Sequence, residues 1–433
     1  MKSKALFIIL YFWTALLYAD DLGNQYNLDQ LLKKAVYQAD QIKYKYEEIN
    51  LARIYSDIAR AALLPQLNSQ AVYSRFWKEL VEQPKWVGTW AVSISQSFTL
   101  NGKEFIYYRI SELNRKKTFY DLYRLTETYL FGIVDAYYTV LKTQKSIEIT
   151  NANVRRLIRH QQAVADRLSV NEVAKTALYR AKAELSDAQT ENKRAINANR
   201  IASATLARMV CIPNTFELAA PESKSVTKTS LEKWIKQGLE NRAELKQLEI
   251  ANQMAGDRIK VAKGAYWPSV SIEGQYYDSE DSSPEDPDDN ISGTVTLNYS
   301  FFDGGIRSAE VSEARIEKKK MRYIIQDTTR NIALEIETAY LEQNTQLSLL
   351  ESLKDQLNYS RENFEAVTSQ FNFGMATSVD VMDANTLLLT SEQKLSEVLY
   401  DIQLAQIKLD YVSGVFLRDF AARSHLSVDS FRQ

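Results

Sequence analysis

The chain repeats itself at an interval of 203 residues. Leu63-Leu64-Pro65-Gln66-Leu67 recurs in kind as Tyr266-Trp267-Pro268-Ser269-Val270, and the step from Pro65 to Pro268 sets the interval. The same step pairs Leu28 with Leu231, Ile42 with Leu245, Ala52 with Ala255, Ala59 with Ala262 and Tyr73 with Tyr276. Further on it pairs Tyr137 with Tyr340, Ala181 with Ala384 and Leu185 with Leu388. A register held this long reads as two copies of one structural unit. The first copy covers residues 20–210 and the second 231–417, with a linker at 211–230 and a tail at 418–433.

Residues 1–19 read as a signal peptide. Lys2 and Lys4 precede an apolar run from Ala5 to Tyr18, and Ala19 stands before Asp20 and Asp21. That run is shorter than the ~20 residues a spanning helix requires, so a cleavable export signal is expected. No later stretch is apolar enough to cross a bilayer as a helix, in keeping with 25% charged residues and a mean hydropathy of −0.34. The formal net charge of −2 provides no basic footprint for nucleic acid. Cys211 is the one cysteine, so no disulfide forms within the chain. Only 13 glycines and 7 prolines favour long helices over frequent turns.

Each copy reads as helix, two strands, long helix, turn, long helix. The opening helices, about Leu28 to Leu64 and Leu231 to Tyr266, end before Pro65 and Pro268, because a residue preceding proline is pushed out of helical geometry. The pattern then switches to a period of two. One face from Ile291 reads Ile291, Gly293, Val295, Leu297, Tyr299, Phe301, against Ser292, Thr294, Thr296, Asn298, Ser300. Val270, Ile272, Gly274 and Tyr276 alternate with Ser269, Ser271, Glu273 and Gln275, and Trp90, Val92 and Ile94 with Ser93, Ser95 and Ser97. Such alternation suits a membrane β-barrel strand or a two-stranded ribbon on a soluble core. The export signal and the aromatic residues Tyr73, Phe76, Trp77, Trp86, Trp267, Tyr276 and Tyr277 favour the barrel. An acidic loop from Asp278 to Asp289 lacks calcium-loop spacing and reads as a solvated external loop, less acidic in copy one between Lys78 and Gly88.

Helical sequence follows from about Phe105 to Leu168 and from about Arg307 to Phe371, each able to extend roughly 95 Å at ~1.5 Å per residue. The returning helices carry a seam with mean spacing 3.5. In copy one it reads Leu178, Ala181, Leu185, Ala188, Asn192, Ala195, Asn199, Ala202, Leu206, Met209. In copy two it reads Val381, Ala384, Leu388, Ser391, Leu395, Val398, Ile402, Ala405, Leu409, Val412. This period predicts left-handed coiled coils, with Asn192 and Asn199 wetted or fixing the register. The fold class is therefore mainly α with a β-barrel portion: long coiled-coil helices plus four membrane strands per chain, internally duplicated. Four strands cannot close a barrel, so membrane insertion would require self-assembly.

On these features the chain resembles the TolC-type outer membrane efflux protein family across nearly its whole mature length. The resemblance is carried by the duplication, Pro65 and Pro268 at strand entry, and Gly102 and Gly304-Gly305 where strand returns to helix. Its most specific element is Phe373-Gly374-Met375-Ala376-Thr377-Ser378-Val379-Asp380-Val381-Met382-Asp383-Ala384, which looks like the family's helix-turn-helix tip. The resemblance implies a homotrimer in outer membrane lipid, with a helical barrel extending into the periplasm and the 211–230 linker in its equatorial region. It also implies a periplasmic adaptor and an inner-membrane pump as partners, with no cofactor and no nucleic acid. Asp380 and Asp383 fall where the family rings its pore entrance with aspartates. Their i, i+3 spacing places both on one helix face, where symmetric copies would attract cations. Thr377 and Asp380 equally have capping-box spacing. Gly374, and Asn171 at its repeat position, are the expected left-handed turn residues. Phe371, Ala376 and Ala177 replace residues with which the family can lock its closed tip, so closure is expected to rest on other contacts.

Two other classes fit the sequence less well. An enzyme is disfavoured: His160 and His425 are the only histidines, and no phosphate loop, nucleophile elbow or zinc spacing occurs. His160 lies in a polar helical stretch and reads as a solvated surface residue. A periplasmic coiled-coil adaptor or stalk protein is the closer alternative, but such chains usually carry one hairpin between glycine-rich β domains, and this chain has two hairpins and few glycines.

Overall fold

The computed structural model describes residues 25–77, 86–219, 229–279 and 289–424. The signal peptide 1–19, His425, the end of the tail, and parts of the linker and of both strand-connecting loops lie outside the described residues.

In chain order the elements are β1 (Gln25–Tyr26), α1 (Leu28–Gln38), α2 (Asp40–Ala61), β2 (Gln66–Arg75), β3 (Trp86–Thr99), α3 (Lys103–Ser169) and α4 (Lys175–Val210). Then come β4 (Glu217–Leu218), α5 (Leu231–Asn241), α6 (Ala243–Gly264), β5 (Ser269–Ser279), β6 (Asp289–Asn298), α7 (Ile306–Asn372), α8 (Ser378–Val412) and α9 (Phe416–Arg423). The long helices α3 and α7 are each 67 residues and begin 203 positions apart. No helix among the described residues is long and apolar enough to cross a membrane.

The expected opening helices are each broken in two. α1 ends at Ala39, whose φ −65° and ψ 120° are extended, and α5 ends at Arg242 with φ −56° and ψ 122°. Asp40 and Glu244 then stand in the first turns of α2 and α6, where a carboxylate complements the helix dipole. The Arg242 break is held by tertiary contacts. Its guanidinium donates to the Val412 carbonyl at 3.3 Å and to the Glu335 carboxylate at 3.0 Å.

Contacts divide the chain into two units. One holds residues 44–123 and 243–330, and its sheet runs β2-β3-β5-β6 with every neighbour antiparallel. β3 and β5 form the central pair, from Thr89 opposite Ser279 to Thr99 opposite Ser269. Cross-strand aromatics tie the sheet: Tyr73 stacks on Trp86 at 5.6 Å, and Trp90 meets Tyr276 edge-on at 5.7 Å. Every residue of β6 is exposed. Below the sheet, Arg109 of α3 pairs with the buried Asp257 of α6 at 3.0 Å.

The other unit holds residues 25–43, Arg124–Arg242 and 331–424, with the parallel pair β1-β4. Its core includes Leu31, Leu32, Leu130, Ile133, Tyr137, Leu206, Ile332, Ile336, Leu409 and Phe420, each below 2% exposed. α5 comes so close to α7 that a Cβ on Gly238 would meet Ile336 Cδ1 at 2.3 Å. Of the α4 seam, Ala181, Ala188, Ala195, Ala202 and Leu206 are buried. In α8 all the expected seam positions but the half-buried Leu395 are buried. Asn192 donates to Asn151 Oδ1 at 2.9 Å and accepts from Thr150 Oγ1 at 3.0 Å. Asn199 donates to Thr143 Oγ1 at 3.0 Å, so both seam asparagines select α3 partners at fixed heights.

Candidate pore tip

Two helix turns lie at the end of the second unit: one between α3 and α4, the other between α7 and α8. Both leave their first helix by the same route. Asn171 has φ +61° and Gly374 φ +79°. Asn171 N–H donates to the Leu168 carbonyl and Glu172 N–H to that of Arg167, each at 3.0 Å. Gly374 N–H donates to Phe371 at 3.0 Å and Met375 N–H to Gln370 at 2.8 Å. These paired bonds around a left-handed residue satisfy the last helical carbonyls.

The return helices begin differently. α8 opens with a capping box: Thr377 N–H donates to Asp380 Oδ2 at 2.7 Å, and Asp380 N–H donates to Thr377 Oγ1 at 3.3 Å. The hydrogen bonds from Thr377, side chain first and backbone second, hold the Asp380 carboxyl below the usual carboxylate range. α4 has Ala174 at the same place and no side-chain cap. Asp380 is thus an exposed capping residue, while Asp383, one turn on, is exposed and carries no ion pair among the described residues.

The two turns are joined by α3. Arg167 donates through Nη1 to the Phe371 carbonyl and through Nε to Glu172 Oε2 at 2.8 Å. Its guanidinium lies 4.9 Å from the centre of the Phe371 ring, itself only 1% exposed. Phe371, Val164, Ala181 and Val381 form a small apolar core, with Ala177 and Ala376 packed against it. The three replaced lock positions therefore supply packing here, and an arginine on α3 makes the polar tie.

His160 departs from its reading as a solvated residue: it is buried at 8% exposure. Its ring is 5.2 Å from that of Phe371, and Nε2 lies 2.8 Å from Ser378 Oγ at the first turn of α8. Burial alone lowers its pKa. Higher on α3, Arg156 forks onto Glu392 of α8 at 3.2 and 3.0 Å, and its Nε donates to Asn385 Oδ1 at 2.9 Å. Asn385 in turn donates to Asn153 at 2.8 Å. None of Arg156, Arg167 or Glu392 was singled out in the sequence. The one available cue was Arg167 in the last turn of a helix, where cations favour the dipole.

A family model described as outer membrane efflux protein matches residues 234–415. The chain is 20% identical to outer membrane protein TolC of Salmonella enteritidis, over 91% of this chain and 83% of that protein. It is 19% identical to the alkaline protease secretion protein AprF of Pseudomonas aeruginosa, over 87% and 82%. Its fold is that of the Campylobacter jejuni CmeC outer membrane channel, with a TM-score of 0.81, 15% identity, and coverage of 94% of this chain and 90% of that one.

By these likenesses the chain resembles the outer membrane efflux proteins.

The likeness supports reading the chain as an outer membrane channel whose long helices form a periplasmic extension. The TolC-type architecture accounts for the pairing of a four-stranded sheet with helices of 67 residues in one chain.

Proposed function

We propose that three copies of this chain assemble into the exit duct of a tripartite efflux pump or a type I secretion system, a passive conduit opened at its periplasmic tip. The observation that carries this reading is the pair of open edges on the sheet. Among the described residues β2 and β6 each hydrogen-bond to a neighbouring strand on one side only. A row of unpaired backbone groups is not tolerated in hydrocarbon, and four strands fall short of the ~8 that close the smallest membrane barrels. Three copies joined β6 to β2 supply enough strands and leave no edge.

The partners of such a duct are a periplasmic adaptor and an inner-membrane pump. At the tip, Asp380 and Asp383 from each copy form the negative ring at the pore entrance. Asp383 supplies the freer carboxylate, since Asp380 is engaged with Thr377. Gly374 and Asn171 shape the two turns that carry the ring.

The test is to run purified mature protein unboiled on SDS gels and to reconstitute it in planar bilayers. The expected result is an SDS-resistant trimer with cation-selective conductance. A water-soluble monomer without affinity for bilayers would overturn the reading.

A further inference from the structure

Immediately before β5, Lys263, Tyr266 and Trp267 line an open groove of about 420 Å³ together with Ser308, Ser312 and Arg315 from the first turns of α7. Lys263 and Arg315 are both exposed, and neither has an ion-pair or hydrogen-bond partner among the described residues. Trp267 is 56% exposed and Tyr266 45%. Two free cations, the Ser308 hydroxyl and two accessible aromatic rings thus converge on one groove, which the buried Val311 also lines, while the Ser312 hydroxyl donates to the Ser308 carbonyl at 2.8 Å.

The duplicated unit provides an internal control. The positions 203 residues earlier are Arg60, Leu63, Leu64, Phe105, Arg109 and Glu112. Both hydroxyls are gone, and Glu112 stands where copy two has Arg315. Arg115 donates to Glu112 at 2.9 Å, and the Ser56 hydroxyl also donates to it. Arg109 is neutralised by Asp257. The fold alone therefore does not create an uncompensated cationic groove at this height; the sequence of copy two does.

The groove's height follows from Pro268, the residue at which the chain enters the sheet. If that sheet spans the outer membrane, as proposed above, the groove sits where the periplasmic leaflet meets water. Aromatic rings and cations both concentrate at that boundary.

We infer that this groove binds the headgroup phosphate of an anionic glycerophospholipid of the periplasmic leaflet. Lys263 and Arg315 neutralise the phosphate, Ser308 donates to one of its oxygens, and Trp267 lies against the glycerol and the upper acyl chain. The inference rests on membrane insertion of the strands.

The test uses the full mature protein reconstituted in phosphatidylcholine nanodiscs containing phosphatidylglycerol, with retained lipids counted by native mass spectrometry. Wild-type protein should retain phosphatidylglycerol in preference to phosphatidylcholine. The double variant Lys263→Ala/Arg315→Ala should bind it about 25-fold more weakly, as expected for loss of two interfacial cations. Arg60→Ala, at the copy-one position, should leave retention unchanged, and inorganic phosphate should not displace the lipid. Equal retention by wild type and double variant, or displacement by inorganic phosphate, would overturn the lipid site while leaving the channel reading intact. Failure of the wild-type protein to enter the bilayer would overturn both.

Discussion

Arg167 holds Phe371 from two directions: it donates a hydrogen bond to the Phe371 carbonyl and places its guanidinium 4.9 Å from the centre of the same residue's ring. The carbonyl also accepts from Gly374 N–H, so Arg167 reinforces the very turn that ends α7. Its Nε contact with Glu172 anchors the arginine to the other turn. Arg167→Ala should free the α7–α8 tip from α3. A charge-assisted hydrogen bond at a half-covered site contributes roughly 1.5 kcal/mol, so spontaneous open time should rise by about tenfold. Single-channel recording in planar bilayers measures it directly. Arg167→Lys should restore only part of closure, because an ammonium keeps the charge but loses the planar fork.

His160 makes the same joint sensitive to acid. Burial lowers its pKa in the folded tip, so the unfolded or opened state binds the proton more readily. The contact with Ser378 therefore contributes fully above the ordinary histidine value near ~6.5 and is lost as pH falls through the folded value. Arg167 lies nearby on the same helix and Asp380 is turned back to Thr377, so among the described residues no carboxylate pairs with the imidazolium. The protection factors of the amides at the first turn of α8, with the intrinsic pH dependence of exchange divided out, should fall between pH 7.5 and pH 5.5 in wild-type protein. His160→Gln should be nearly flat across that range. A pH response of equal size in both proteins would assign the effect to another group.

How far the sequence reveals this tip depends on whether the cause of a feature is local. Asn171 and Gly374 could be placed because a left-handed residue at a helix end has few occupants. The seam from Val381 to Val412 could be placed because burial repeats with the period of the helix. The breaks at Ala39 and Arg242 could not. Alanine and arginine are both good helix formers, and Arg242 is pinned by Val412 and Glu335, which lie far away in sequence. His160 was misread for the same reason. Its neighbours Arg159, Gln161 and Gln162 look solvated, and the groups that bury it, Phe371 and Ser378, come from the other copy.

The two tip aspartates should separate experimentally. Asp383→Asn removes a free carboxylate and should reduce cation selectivity and divalent block while leaving the thermal midpoint unchanged. Asp380→Ala breaks the capping box, so it should also loosen the start of α8, visible as faster exchange of the Asp380 and Val381 amides. Because hydrogen bonds from Thr377 hold its carboxyl below the usual carboxylate range, the Asp380 cap should persist through mild acid and be lost only as pH falls below that range, through the lowered value. If both variants alter selectivity equally and neither changes exchange, the structural role of Asp380 is wrong.

Gly374 and Asn171 occupy equivalent turns, yet they should respond differently to alanine. A Cβ on Gly374 at φ +79° is strained, and it would also lie 3.1 Å from Arg167 Nη2. Gly374→Ala should therefore cost the left-handed penalty of roughly 1–2 kcal/mol and disturb the Arg167 tie as well. Asn171 already carries a side chain at φ +61°, so Asn171→Ala loses only asparagine's tolerance of that region and should cost about half as much. Asn171→Gly should be neutral or slightly stabilising. Thermal denaturation of the three variants ranks them, and single-channel recording separates their effects on closure. Gly374→Ala should raise spontaneous opening in the manner of Arg167→Ala, while Asn171→Ala should leave opening near the wild-type level. The coupling can be measured in the double variant: if Gly374→Ala acts through Arg167, adding it to Arg167→Ala should increase opening by less than the product of the two single effects.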